Sequence, residues 1–366
     1  MNQNILIRKI IVKMKILKTT TLILIAIVLM SISYSCQNEN ETSAKITVFL
    51  DLSEHYADYG IETKNAMGLA LEEVDNVTVD FFDSRSDSNI ALEQLENLDS
   101  QTKIVVSFTS WVSNAIAAKA EEKNILQFII ASAVFNYDSL ACCVRFTVDV
   151  ETEVEFLANH LQRYNSIAII YTDNEYGTGW KNSLQSKLGT KVVSMESYNN
   201  QTTDYTTQLS NISNFNPEAL ILISFGEAAE IIRQANEMNI SSQLIGTRPI
   251  FSSELLQEPL AEGLVFSYPA LDENHPFYEK YNERYGSQSS AFGAEGYDLI
   301  ISLSEAIKEV GNNTEDIAKW YSERTYNGAL GEINFTTQGQ ADYSFSLKRV
   351  QNGNVVPYTH KNKKYQ

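Results

Sequence analysis

Ile104-Val105-Val106-Ser107-Phe108, a helix-spaced run from Ser110 to Lys123, and Leu126-Gln127-Phe128-Ile129-Ile130 decide the fold of this chain. Two short apolar runs flank one amphipathic segment, and no turn signal for a hairpin lies between them. A helix between two strands returns the chain to the starting edge of the sheet, so the strands lie side by side and parallel. Runs that are apolar at nearly every position, rather than at every second one, belong to a sheet covered on both faces.

The same alternation extends in both directions. Upstream stand a strand at Ile46-Thr47-Val48-Phe49-Leu50, a helix over 61–74, a strand at Val77 to Phe82 and a helix over 88–98. After Arg145 a second series begins: a helix over 151–163, the strand Ser166-Ile167-Ala168-Ile169-Ile170-Tyr171, a helix over 179–188 and a strand over 191–195. It continues with a helix over 205–213, the strand Ala219 to Ser224, a helix over 227–238 and a short strand over 243–246. Two such series predict an α/β protein of two Rossmann-like, doubly wound lobes. A strand over 263–268 and helices over 276–285 and 293–310 follow. The tail, with strands over 331–335 and 343–350 and the turn Asn352-Gly353-Asn354, is the one antiparallel signal.

The bulk numbers fit. The chain has 366 residues, 43% hydrophobic and 20% charged, which suits two α/β lobes better than one small core. Its net charge is −18, and residues 1–35 hold five basic residues and no acidic one, so the body is more acidic still. Such a body repels phosphate backbones, and nucleic acid is not an expected partner.

Lys13, Lys15 and Lys18 precede the apolar run Leu22 to Met30, then Ser31-Ile32-Ser33-Tyr34-Ser35 and Cys36. Basic, apolar, then small residues is the layout of a secretory signal; the other reading is one uncleaved anchor helix. Cys36, followed by Gln37-Asn38-Glu39-Asn40-Glu41, resembles a bacterial lipoprotein cleavage site of the Bacteroidetes type, which implies that its thiol is lipidated. Cys142 and Cys143 are adjacent, so they are read as two buried thiols beside a strand rather than as a strained bridge. The four histidines are scattered, with no metal-ligand spacing.

Several segments, taken in order, carry a resemblance. They are Tyr56-Ala57-Asp58-Tyr59-Gly60 with Gly68 to Glu73; Ser107-Phe108-Thr109-Ser110; Ile169 through Asp173-Asn174-Glu175-Tyr176-Gly177; Asn216-Pro217-Glu218-Ala219; Gly296-Tyr297-Asp298; and Gly328-Ala329-Leu330-Gly331. Together they resemble the type I periplasmic binding proteins of branched-chain amino acid ABC transporters. The resemblance implies two lobes joined by three crossing strands, near Arg145, Tyr268 and Gly328, with solute in the cleft. It divides the chain into a signal (1–35), a lipidated Cys36 with a tether (36–44), a first lobe (45–146 and 268–328) and a second lobe (147–267 and 329–366).

By the same resemblance, Ser110 matches a carboxylate-binding serine; it also stands where a plain helix cap would. Ser132 would offer a backbone carbonyl to an amine, while Val134 lacks the hydroxyl that the family places there. Tyr59 and Tyr176 fall on loops facing the cleft, and Ser224 ends a strand at its rim. Trp111 belongs either to the pocket or to the helix core. Arg248, in Gly246-Thr247-Arg248-Pro249, stands where amino-acid binders of the family carry an acid. A guanidinium cannot accept from an ammonium but can grip a carboxylate; the other reading leaves it solvated. The expected function is therefore an extracytoplasmic, lipid-anchored receptor for a small polar solute, an acidic one included, such as an amino acid or related carboxylate. It would deliver that solute to an ABC permease, without cofactor or metal. The alternative is a ligand-sensing or envelope-regulatory lipoprotein on the same fold, which a cleft filled by side chains would favour. No nucleophile–base set or phosphate loop points to an enzyme.

Overall fold

The computed structural model of the chain describes residues 43–135, 142–251, 255 and 258–358. The signal, Cys36 and most of the tether lie outside the described residues.

The first sheet contains β1 (Ala44–Leu50), β2 (Val77–Asp83), β3 (Ile104–Phe108), β4 (Leu126–Ile130) and β5 (Cys143–Arg145), in the order β2-β1-β3-β4-β5 and parallel throughout. Between its strands run α1 (Ala57–Leu71), α2 (Ser88–Glu96) and α3 (Ser110–Glu122). The second sheet contains β6 (Ile167–Thr172), β7 (Val192–Tyr198), β8 (Ala219–Ile223), β9 (Gln243–Gly246) and β10 (Val265–Pro269). These follow the same order, β7-β6-β8-β9-β10, again parallel. Its helices are α4 (Val150–Leu161), α5 (Glu175–Leu188), α6 (Thr206–Ser213) and α7 (Ala228–Glu237). Each sheet reverses its strand order once, between β1 and β3 and between β6 and β8. Above the carboxyl ends of strands flanking such a reversal a crevice opens, because the two loops leave toward opposite faces.

The chain then returns to the first lobe. α8 (Pro276–Tyr285) and α9 (Ala291–Val310) pack on α1, and α10 (Thr314–Tyr321) covers β4 and β5. β11 (Thr325–Gly328), β12 (Gly331–Phe335) and β13 (Ala341–Asp342) form a small antiparallel sheet. The sequence reading gives residues 329–342 to the second lobe. Here Phe335 packs on Phe146 and Tyr321, and Gln340 bridges to Arg145. Only β14 (Phe345–Gln351) and β15 (Asn354–Pro357) join the second sheet, antiparallel at the edge of β10.

β3, β4 and β8 are buried along their whole length, as near-continuous apolar runs require. Each fully buried Val, Leu or Ile contributes about 1.5–3 kcal/mol. Cys142 and Cys143 are free thiols; Cys143 is buried, and burial pushes its thiol up to about 12.

Two helix starts differ from expectation. α1 begins at Ala57 rather than 61, and α5 at Glu175 rather than 179, so Tyr59 and Tyr176 sit in first helical turns and not on loops. Glycine is the reason. A Cβ on Gly60 would strike the carbonyl of Asp51, and one on Gly177 that of Thr172. With hydrogen there instead, each helix begins directly beneath the end of its strand. Asn174 caps α5 by accepting from the Gly177 N–H at 2.9 Å.

Candidate functional site

The segments that follow the carboxyl ends of β1, β3, β4, β6, β8 and β9 meet between the lobes. They enclose a small cavity lined by Tyr56, Tyr59, residues 108–111, Ala131, Tyr176, Phe225, Arg248, Pro249 and, from α9, Phe292. Its volume is about 20 Å³, room for roughly one water molecule. Aromatic rings form most of the wall. Among the described residues lining it, Arg248 is the charged one.

The β3–α3 junction supplies the polar side. Thr109 holds φ at 71°, a left-handed value that a β-branched residue rarely adopts and that costs about 1–3 kcal/mol. The turn it makes points the start of α3 at the cleft. Thr109 gives α3 no side-chain cap, and the first N–H groups of a helix have no partner within it. The Ser110 hydroxyl accepts from the Val134 N–H at 3.3 Å, which leaves its own proton to donate. The Trp111 indole N–H is buried and has no hydrogen-bond partner among the described residues.

One tyrosine ties the lobes together and a second braces the second lobe's side of the cleft. The Tyr59 hydroxyl donates to the Pro249 carbonyl across the cleft at 2.9 Å, and Tyr176 donates to Thr247 at 2.9 Å. Burial, then nearby carboxylates, raises the pKa of both phenols well above the ordinary value, so both stay neutral donors.

Arg248 lines the cavity, but its guanidinium is already matched. One arm donates to Glu295 on α9 at 2.7 Å and to the Tyr343 hydroxyl at 3.1 Å, and the plane stands 4.7 Å from the centre of the Phe292 ring. Arg248 is 4% exposed and Glu295 0%. Burial is the largest single influence and works against the Arg248 charge, yet Glu295, Tyr343, Glu153 and Tyr176 together outweigh it and raise the pKa. Glu295 also accepts from Tyr343, from Thr147 and from the Ala131 N–H. This corrects the solvated reading of Arg248: it is buried, it engages Glu295 through one arm, and it pairs one lobe with the other. Beside it, burial raises the Glu153 carboxyl to about 7 against the pull of Arg248.

Ser132 is also placed differently from expectation. Its carbonyl accepts from the Arg145 guanidinium at 2.9 and 3.3 Å, so it is not offered to an amine, and the residue lies behind the wall. Ser224 is buried with its hydroxyl unpartnered among the described residues, next to the lining rather than in it. The structure thus brings Tyr59, Ser110, Tyr176 and Arg248 to one cavity and leaves Ser132 and Ser224 behind it. Trp111 is in the wall, which settles the choice that the sequence left open. Tyr56, Phe225 and Phe292 complete the wall and were not singled out. Phe225 was findable, because it follows a parallel strand at the edge where ligands bind. Phe292, inside an amphipathic helix, carried no such signal.

A small planar or branched apolar group suits these rings, and an anionic group suits the N-terminus of α3 with the Ser110 hydroxyl and the Trp111 N–H. Among the described residues, no group of three His, Cys, Asp or Glu is placed to hold a metal. No helix among them is long and apolar enough to cross a membrane.

The comparisons agree with this architecture. The family model described as periplasmic binding protein matches residues 43–354. An extracellular ligand binding receptor from Desulfohalobium retbaense is similar in structure with a TM-score of 0.83 and 34% identity. That match covers 86% of this chain and 59% of the receptor, so the chain spans less than two thirds of it. Leucine binding protein LivK from Thermotoga maritima aligns with a TM-score of 0.77 at 24% identity, over 86% of this chain and 98% of its own. A solute binding protein from R. palustris in complex with benzoate aligns with a TM-score of 0.76 at 15% identity, over 86% and 95%, and shows the shared fold. Among curated proteins none matches the sequence.

Proposed function

The chain belongs to the periplasmic binding protein family, and from that premise we propose that it is an extracytoplasmic receptor that closes two lobes on a small carboxylate-bearing solute. The observation that carries this reading is the Trp111 N–H, unpartnered among the described residues, beside Ser110 at the start of α3 in a wall made mostly of aromatic rings. A buried donor without a partner costs about 1–3 kcal/mol, which an anionic guest would offset. The solute passes to an ABC permease, and Cys36 anchors the receptor to the cell envelope through lipid, as the segment before it supports. The division into first lobe and second lobe provides the hinge.

Native mass spectrometry of the full chain with leucine, isoleucine, benzoate and 3,4-dihydroxybenzoate tests this reading. A single bound carboxylate per chain is expected. Retention of none at millimolar concentration would count against it. One observation favours the second reading, an envelope-regulatory lipoprotein: the cavity between the lobes is nearly filled by side chains. That reading expects no solute bound and binding of a protein partner instead.

A further inference from the structure

One side chain stands against four other rings of the cavity wall. Phe225 belongs to the second lobe, just beyond β8, and its ring lies among those of both lobes. Centroid distances are 4.6 Å to Tyr56, 5.7 Å to Tyr59, 6.4 Å to Trp111 and 5.3 Å to Tyr176. These are the spacings of favourable tilted and edge-to-face pairs. Phe225 is 7% exposed. About 20 Å³ remains beside it, whereas a cavity that takes up benzene measures about 150 Å³. In this conformation neither an amino acid nor a benzoate fits.

The ring has somewhere to go. A groove of about 660 Å³ opens next to the cavity, lined by Gly226 and Glu227 and by Tyr59, which borders both spaces. A Cβ on Gly226 would meet nothing within 4 Å, so the backbone beside Phe225 is not clamped.

We infer that Phe225 is a specificity-determining residue: its ring occupies the solute position when the lobes close, and a solute enters by displacing it. The inference rests on the reading of solute capture between the lobes and names the apolar part of the solute. The socket is shaped by ring edges and faces around one phenyl group, so the group that replaces it is a planar ring of that size. A flexible aliphatic chain would leave gaps against these walls.

The test compares the full-length wild type with Phe225→Ala and the milder Phe225→Leu, titrated with toluene and with benzoate and followed by heat release. Toluene reads the socket alone; benzoate also reads the carboxylate site at α3. Displacing Phe225 lowers the apparent affinity of wild type by the fraction of time the socket is free. Both ligands are therefore expected to bind Phe225→Ala about tenfold more tightly than wild type, with Phe225→Leu between. Equal toluene affinity in the three proteins, or tighter benzoate binding by wild type, would overturn the inference and make Phe225 a wall that stacks on the solute. If toluene follows the expected order and benzoate binds none of them, the displaced ring stands and the carboxylate reading of the cleft falls.

Discussion

Replacing Arg248 by methionine leaves Glu295 buried at 0% exposure without its cation. Removing one partner of a buried ion pair costs about 3–5 kcal/mol, because the remaining charge is desolvated and unanswered. Here the lower end applies. Glu295 keeps the Tyr343 hydroxyl at 3.0 Å, the Ala131 N–H at 2.8 Å and the Thr147 hydroxyl at 3.2 Å. A loss of about 3 kcal/mol lowers the midpoint of thermal unfolding by about 4 °C in a chain of this size. Replacing Glu295 by glutamine in the same protein removes the stranded charge and is expected to restore at least about half of that loss. The assay is guanidinium unfolding of the single and double variants. A single-variant loss below about 1 kcal/mol, or a double-variant loss equal to the sum of the singles, would refute the reasoning. At temperatures where the variant is folded, carboxylate binding is expected to stay within about threefold of wild type, since Arg248 is matched by Glu295 rather than by the solute.

Other outcomes follow from particular residues. Trp111→Phe keeps an aromatic ring and deletes the indole donor, so carboxylate binding should weaken by about tenfold in calorimetry. Glu153, raised to about 7 in the folded chain from an ordinary 4.5, holds a proton that the unfolded chain has lost between those values. Its contribution to stability is full below about pH 4.5 and declines as pH rises toward 7, so Glu153→Gln should flatten the fall in unfolding midpoint across that window. Gly177→Ala should lower stability by about 2 kcal/mol or more, read by the same unfolding curves, since the new methyl meets the Thr172 carbonyl.

Much of the fold was legible because the strands are buried on both faces. Runs such as Ile167 to Thr172 and Ala219 to Ile223 are apolar throughout and permit one reading. Short or edge elements were not. β5 is three residues with a buried arginine, and Arg145 looks like a surface residue until Asp149 is seen 2.8 Å from it. α10 and β11 take their stability from the first lobe, through Tyr321 against Phe128 and Phe146, rather than from local pattern. At the site, Ser110, Tyr59 and Tyr176 were pointed to by the family resemblance, and the structure places all three on the cavity wall. The role of Arg248 was not legible, since Glu295 lies 47 residues away in sequence on a helix whose pattern gives no sign of a buried acid. Phe225 and Phe292 read as ordinary apolar residues; only their convergence on one point makes them a wall.

The central claim is that a carboxylate is held between the lobes at the start of α3. Calorimetric titration of the full chain with benzoate and with benzamide, equal in ring and differing in charge, tests it most directly. The account expects one benzoate per chain, a negative heat-capacity change from ring burial, and an affinity at least about tenfold above that of benzamide. Equal affinities for the two, or no binding of benzoate at millimolar concentration, would contradict it.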